Sequence, residues 1–385
     1  MPGNFRESAI RLAAAGLYWS GAQRLVQSFS QYFETAHPAT GWSRIQRARL
    51  PKVAIVCHHR IGNGGVPYYS NFSPAAFEAQ IRFLRKHYRL LSMDEVCREL
   101  DEEREASQAV AVTFDDGYRD LYTQAFPILR RYGVPATVYL TAAAIESEEI
   151  SWYDRIFVAA MTTRRRYLTV GGDRPRTFAL SSRESRIFAA TEIVRTLRGY
   201  PNHARIAACK ALEQEAELHC SELKDRMLTW PQIREMQKAG ISFGAHTMTH
   251  PVVGQLSDAE RQQELVQSRK LLEDRLQTPV QHFAYPFGTA SDIDDRSPLL
   301  MSNFGYRSAV STIWGVNTST TNRYLLRRIG GEIPSVPLFA LHLRRLFLSA
   351  PQSLPEVRLL EQSDAEARRI TAADSDGQAI EVKHA

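Results

Sequence analysis

The chain has 385 residues, 44% of them hydrophobic and 23% charged, which is enough apolar content for one barrel-sized core with elaborations. Lys plus Arg minus Asp plus Glu is 48 minus 42, or +6. Its arginines are scattered rather than gathered on a dense basic and aromatic face, which argues against nucleic acid as the main partner.

Residues 1–50 form a first segment in which Tyr18, Ala22, Leu25, Phe29 and Phe33 recur at helical spacing, predicting an amphipathic helix over residues 5–34. The uncharged run Leu12–Gln23 is too short to span a bilayer and no clear cleavage site follows it, so the helix is expected to pack on the main domain or to lie on a membrane surface. Residues 51–335 then alternate between short apolar runs and helical stretches. Val53–Val56 reads as a strand that ends at His58, His59 and Arg60. Ser73 and Pro74 open a helix that reaches His87, Arg89–Leu91 is a short strand, and Met93–Glu103 is helical with Asp94 and Glu95 in its first turn. Tyr118–Tyr132 and Asp258–Leu276 are further helices, each following a strand. Residues 155–225 carry no strand pattern and read as a helical insertion. Residues 336–360 form a C-terminal helix, and residues 361–385, polar and poor in aromatics, are expected to be disordered. The four cysteines, Cys57, Cys97, Cys209 and Cys220, contain no CxxC and read as free thiols, consistent with a reducing compartment and a cytoplasmic location, peripheral at the inner membrane if the first helix lies on it.

Two of the strands end in chemistry. Ala109–Phe114 is a near-continuous apolar run, as expected of a strand buried on both faces in a parallel α/β sheet, and it leads into Asp115, Asp116 and Gly117. Carboxylates this close resist joint ionisation unless a cation or donor compensates, so they divide naturally into a metal ligand and a base. Ile241–Ala245 is a second buried strand, followed by His246 and His250. If the chain turns helically there, a spacing of four brings both imidazoles to one ion, with an open position left for water.

These residues resemble the polysaccharide deacetylases of the NodB-homology type, carbohydrate esterase family 4. The match lies in Thr113-Phe114-Asp115-Asp116-Gly117, in His246-Thr247-Met248-Thr249-His250 and in Phe283-Ala284-Tyr285-Pro286-Phe287-Gly288, in the family's order, and spans about Lys52 to Ile329 with a break near the insertion. The resemblance implies an α/β fold, a distorted (β/α)7 TIM-like barrel. It further implies that Asp116, His246 and His250 hold a divalent metal (zinc, with cobalt, nickel or manganese as alternatives) while Asp115 is the general base. The tetrahedral oxyanion would then be held by the metal and a backbone N–H near Tyr285.

Two departures from the family pattern stand out. Many members carry an arginine two residues before the proline of the third motif, where this chain has Ala284, and many carry a late Leu-x-x-His, where this chain reads Tyr324-Leu325-Leu326-Arg327-Arg328-Ile329. Arg328, or Arg327 beside it, is the candidate replacement for the arginine, and His342 lies too far along to be an evident acid. Trp152-Tyr153-Asp154 resembles a block that lines the groove in some exopolysaccharide-associated members. Tyr118, Trp152, Asp154, Tyr285, Pro286 and His59 are accordingly the expected substrate contacts. The expected reaction is removal of N-acetyl groups from N-acetylhexosamine units of a bacterial surface polysaccharide or its precursor. The alternatives are another metal-dependent amide C–N hydrolase on the same fold and a catalytically degenerate carbohydrate-binding protein.

Overall fold

Strands β1 (Lys52–His58) and β3 (Gln108–Phe114) pair in parallel over their whole lengths, Lys52 opposite Gln108 and His58 opposite Phe114. A computed structural model describes residues 52–62, 72–102, 108–147, 150–171, 175–218 and 226–348 of the chain. The helix expected over residues 5–34, Cys220, residues 349–360 of the expected C-terminal helix and the tail 361–385 lie outside the described residues. From β1 and β3 a ring of parallel strands runs through β4 (Ala136–Leu140), β7 (Ser242–Ala245), β8 (His282–Ala284), β9 (Ser308–Trp314) and β10 (Leu326–Gly330) and closes back on β1. The short β2 (Arg89–Leu91) lies along the first half of β3, so the closed barrel itself has seven strands, as expected.

Alternation along each strand divides the core in two. Val53, Ile55, Ala109, Ala111, Tyr139, Ala284, Val310 and Leu326 form one cluster inside the barrel, while Ala54, Val56, Val110, Val112 and Val138 join the cluster shared with the surrounding helices. Helix α1 (Pro74–His87) starts where Ser73 accepts the Ala76 N–H and ends in Arg85, Lys86 and His87, each suited to its end of the helix dipole. Helix α2 (Met93–Asp101), opened by a Ser92/Glu95 capping box, adds Met93, Val96 and Leu100 to the interior cluster. Continuing the interior series upward from Val53 and Ile55 gives Cys57 and His59. From Ala109 and Ala111 it gives Thr113 and Asp115, and from Leu326 it gives Arg328. The carboxyl end of the barrel is therefore its polar layer.

Gly244 makes this interior possible at one point: a Cβ there would come within 2.5 Å of the Tyr139 ring and 2.7 Å of the His282 carbonyl oxygen. Because one of those neighbours is backbone, Gly244→Ala is expected to destabilise the fold by about 1–3 kcal/mol. A lower Tm than wild type in a thermal melt checks this, and an unchanged Tm refutes it.

The expected helical insertion needs one correction. Between β4 and residue 218 the described residues hold helices α3 (Ala142–Ser147), α4 (Trp152–Thr162), α5 (Arg183–Arg198) and α6 (Asn202–Glu215), but also an antiparallel hairpin, β5 (Tyr167–Val170) with β6 (Arg176–Ala179). Each strand is only four residues long, too short a run for a period of two to stand out in the sequence. The helices expected after the two motif strands are present, each with a π-helical turn, at Leu121–Ala125 and Gln262–Gln267. No helix among the described residues is long and apolar enough to cross a membrane. Cys57, Cys97 and Cys209 are buried free thiols.

Candidate active site

Asp115 and Asp116 are neighbours in sequence and point to different partners. Arg328 Nη1 and Nη2 donate to Asp115 Oδ1 and Oδ2 at 2.7 Å each, and its Nε donates to the Ser311 carbonyl at 2.8 Å. Both side chains are almost fully buried, at 1% exposure for Arg328 and 2% for Asp115. Burial alone would raise the Asp115 carboxyl; the Arg328 guanidinium, helped by His246 and His59, overrides it and holds the group below the usual carboxylate range. Position 284 carries only a buried methyl, and the guanidinium in the barrel interior comes from β10 instead. Arg327 donates to the Trp314 carbonyl, and His342 packs its ring 6.1 Å from Trp314 on the helix Val336–Leu348.

Asp116 turns the other way because its backbone adopts a φ of 72°, followed by Gly117 at 89°. Gly117 is required twice over, since a Cβ there would also meet Leu140 and Ile145 side chains at 2.8 and 2.9 Å. Asp116 Oδ1 then lies 3.5 Å from His246 Nε2 and 3.4 Å from His250 Nε2. The loop that delivers the histidines is not the helical turn expected from their spacing. It is irregular, with Thr247 at a φ of 65° and His250 at 61°, and this backbone, rather than a helix face, makes the imidazoles converge. Of the six described non-glycine residues with positive φ, four (Asp116, Thr247, His250 and Phe287) lie at this site, where strain is held by surrounding contacts.

The donor set suits a divalent ion. Asp116, His246 and His250 are all buried, with ligand atoms within 4.8 Å of one another. Two donors each about 2.1 Å from a tetrahedral ion sit about 3.4 Å apart, which is the spacing seen here. His246 Nδ1 lies 2.7 Å from the Ala284 carbonyl oxygen, which can only accept, so this nitrogen carries the proton and Nε2 keeps its lone pair for the site. Burial lowers the His246 pKa to about 4, leaving the ring in its neutral, ligating form. Burial would raise the Asp116 carboxyl, but His250 and His246 hold it well below its ordinary value. The His250 ring is flanked by Tyr153 and Phe287, at 4.8 and 4.9 Å between centroids, and the indole Nε1 of Trp152 donates to the His250 carbonyl at 3.0 Å.

His59 lies across from Asp115, its Nε2 4.0 Å from Asp115 Oδ2 and its Nδ1 3.3 Å from Glu332 Oε1. The ring is a quarter exposed, at 27%. Burial works against its charge, but the Glu332 carboxylate, with Asp115 and Asp116, pushes the pKa up to about 9. Glu332 carries no motif in the sequence; its only signal is a charge two residues after Gly330, the last residue of β10. Cys57, His59 and Asp115 form a second group with metal-ligand geometry. It fits a cation poorly, because the Arg328 guanidinium already occupies both Asp115 oxygens.

Burial revises the expected substrate contacts. Tyr118, Asp154 and Tyr285 are at most 1% exposed, Trp152 is 8% exposed, and Pro286 is buried as well. Tyr118 OH donates to Asp154 and lies 3.2 Å from Tyr153 OH, under the Arg60 guanidinium, while burial lifts the Asp154 carboxyl to about 7. These groups leave no open ring face for a sugar; they anchor α4 and the insertion to the floor of the site. Tyr285 OH donates to the Tyr324 carbonyl, and its own N–H donates to Val310 within the sheet, so that N–H is not available to an oxyanion. Of the expected contacts, His59 is the one with an accessible ring.

Known proteins resemble this chain in sequence and in fold. A family sequence profile described as polysaccharide deacetylase matches residues 102–309, more than half of the chain. The chain is 22% identical to the candidate polysaccharide deacetylase YxkH of Bacillus subtilis over 296 residues, covering 75% of this chain and 74% of that one. It is 29% identical to a Staphylococcus aureus poly-beta-1,6-N-acetyl-D-glucosamine N-deacetylase over 127 residues, 33% of this chain and 43% of the relative. Among solved structures, the Streptococcus pyogenes deacetylase PplD in complex with acetate superposes with a TM-score of 0.52 at 22% identity, covering 78% of this chain and all of that one. IcaB from Ammonifex degensii superposes with a TM-score of 0.50 at 18% identity, over 77% of this chain and 98% of its own. The profile takes in Asp115, Asp116, His246 and His250 but stops short of His59 and Arg328, so barrel closure is what joins the two ends of the chain to the matched center. With that match and the seven-stranded barrel around it, the chain belongs to the polysaccharide deacetylase family, whose members are hydrolases of carbon–nitrogen bonds other than peptide bonds.

Proposed function

We propose that this protein removes N-acetyl groups from N-acetylhexosamine units of a bacterial surface polysaccharide or its precursor, using a divalent ion, zinc by preference, at Asp116, His246 and His250. The observation that carries the reading is the division of two adjacent carboxylates, one clasped by an arginine and the other facing two imidazoles. When bound, such an ion polarises an acyl oxygen and eases the ionisation of water. Asp115, oriented by Arg328 through both oxygens, accepts the proton of the attacking water. His59, kept protonated by Glu332, gives a proton to the departing nitrogen as the C–N bond breaks, so acetate and a free amine form in equal amounts. The staphylococcal relative's named substrate makes β-1,6-linked N-acetylglucosamine oligomers the first glycan to try.

The test is acetate release and amine appearance from these oligomers and from a panel of other N-acetylated glycans. Equal yields of the two products are expected. Binding of oligomer without any acetate would reassign the chain to the carbohydrate-binding proteins. His59→Gln should lower kcat by about 10²-fold. Because the wild-type ring is the acid below about 9, the variant should also lose the fall in activity that wild type shows as pH rises through that value. A His59→Gln enzyme with an unchanged rate and alkaline limb would remove His59 from this role.

A further inference from the structure

His246 is fixed by strand β7 and by the Ala284 carbonyl, whereas His250 is placed by the loop between them. That loop has positive φ at Thr247 and His250, a conformation residues with a Cβ adopt only under constraint. One buried carboxylate supplies the charged part of that constraint. Glu264, 4% exposed, accepts the Met248 N–H at 2.9 Å and the Thr249 N–H at 2.8 Å on Oε2, and the Thr249 hydroxyl at 2.6 Å on Oε1. It lies in the π-helical turn Gln262–Gln267, whose extra residue per turn changes the direction in which the following side chains point. The loop's other contacts are neutral bonds: Ala142 N–H to the Thr247 carbonyl and Ala143 N–H to the Met248 carbonyl at 3.0 Å each, the Thr247 hydroxyl to the His246 carbonyl, His250 N–H to Thr247 Oγ1 at 2.9 Å, and Trp152 to the His250 carbonyl. Charge-assisted hydrogen bonds are roughly twice as strong as neutral ones, and Glu264 makes three of them to two successive residues.

We propose that Glu264 is a positioning residue for the metal site: by clamping Met248 and Thr249 it sets the separation of the His246 and His250 rings and so the affinity for a divalent ion. This rests on the reading of those histidines as ligands. No sugar or water need touch Glu264, and its effect travels through the loop backbone alone.

The test uses the full chain, stripped with a chelator and titrated with Co²⁺ and Zn²⁺. The readouts are the visible spectrum of bound Co²⁺ and the Zn²⁺ dissociation constant by competition with a chromogenic chelator. Glu264→Ala is expected to weaken affinity on the order of 10–100-fold, as loss of an outer partner of a metal site does, and to change the Co²⁺ spectrum. Glu264→Gln, whose amide oxygen can still accept both N–H groups while its NH₂ donates to the Thr249 hydroxyl, should recover most of that loss. Metal-free thermal melts separate packing from positioning. A Glu264→Ala protein that melts lower but keeps wild-type affinity and spectrum overturns the inference, as does a Glu264→Gln protein as weak as Glu264→Ala. Should Glu264→Ala not fold, Thr249→Val carries the test, a weaker affinity supporting the clamp and an unchanged one overturning it. If wild type takes up no ion, or His250→Ala binds as well as wild type, the ligand reading itself falls and the clamp with it.

Discussion

Wild-type protein should take up one divalent ion per chain, Asp116→Asn and His250→Ala should lose it, and Asp115→Asn should keep it while losing turnover by about 10²–10⁴-fold. The reason is the split of the two carboxylates. Asp116 and the two imidazoles are buried together at ion-ligand spacing, and removing one of three protein ligands should cost more affinity than the roughly 10–100-fold typical of an outer partner. Asp115 instead spends both oxygens on Arg328, so its loss leaves the donor set intact. Metal stoichiometry by elemental analysis, set beside acetate release for the same preparations, decides the matter. Were Asp115→Asn to lose the ion and Asp116→Asn to keep it, the roles would be reversed.

Replacing Arg328 by methionine should have the second large effect. The guanidinium is the main attraction holding the Asp115 carboxyl below its ordinary range against burial, so without it the pKa rises. A base must be ionised to work. The acidic limb of the kcat profile should therefore move to higher pH and the maximal rate should fall, with metal content unchanged. Stability should change as well. A carboxylate with a depressed folded pKa contributes stability above its unfolded pKa, and that contribution is lost as pH falls through the folded value. In Arg328→Met this contribution disappears, and breaking a buried pair by removing one partner costs about 3–5 kcal/mol. The double variant Asp115→Asn/Arg328→Met should cost less than the sum of the single changes, because neither charge is then left buried alone. A single variant with wild-type pH limb and Tm would show that Arg328 does not act on Asp115.

By itself the sequence determined the ends of the buried strands, and hence the residues that reach the carboxyl face of the barrel. Asp115 and Asp116 after Ala109–Phe114, and His246 after Ile241–Ala245, were legible because a continuous apolar run marks a strand buried on both faces wherever it sits. The resemblance to the deacetylases, many of which carry an arginine where this chain has Ala284, likewise pointed to Arg328 or Arg327. Which way each side chain faces depended on other elements. His246 and His250 converge through a strained loop that Glu264 holds from a later helix, not through the helical turn their spacing suggested. Glu332 reaches His59 only because β10 closes the ring against β1, more than 270 residues away in the chain. Trp152, Asp154 and Tyr285 are buried, Trp152 against His250 and Phe287, Asp154 against Tyr118, and Tyr285 against Phe283 and the Tyr324 carbonyl. Periodicity reports one face of one element, whereas burial and partnership depend on what packs against that face, and only the closed barrel with its insertion decides that.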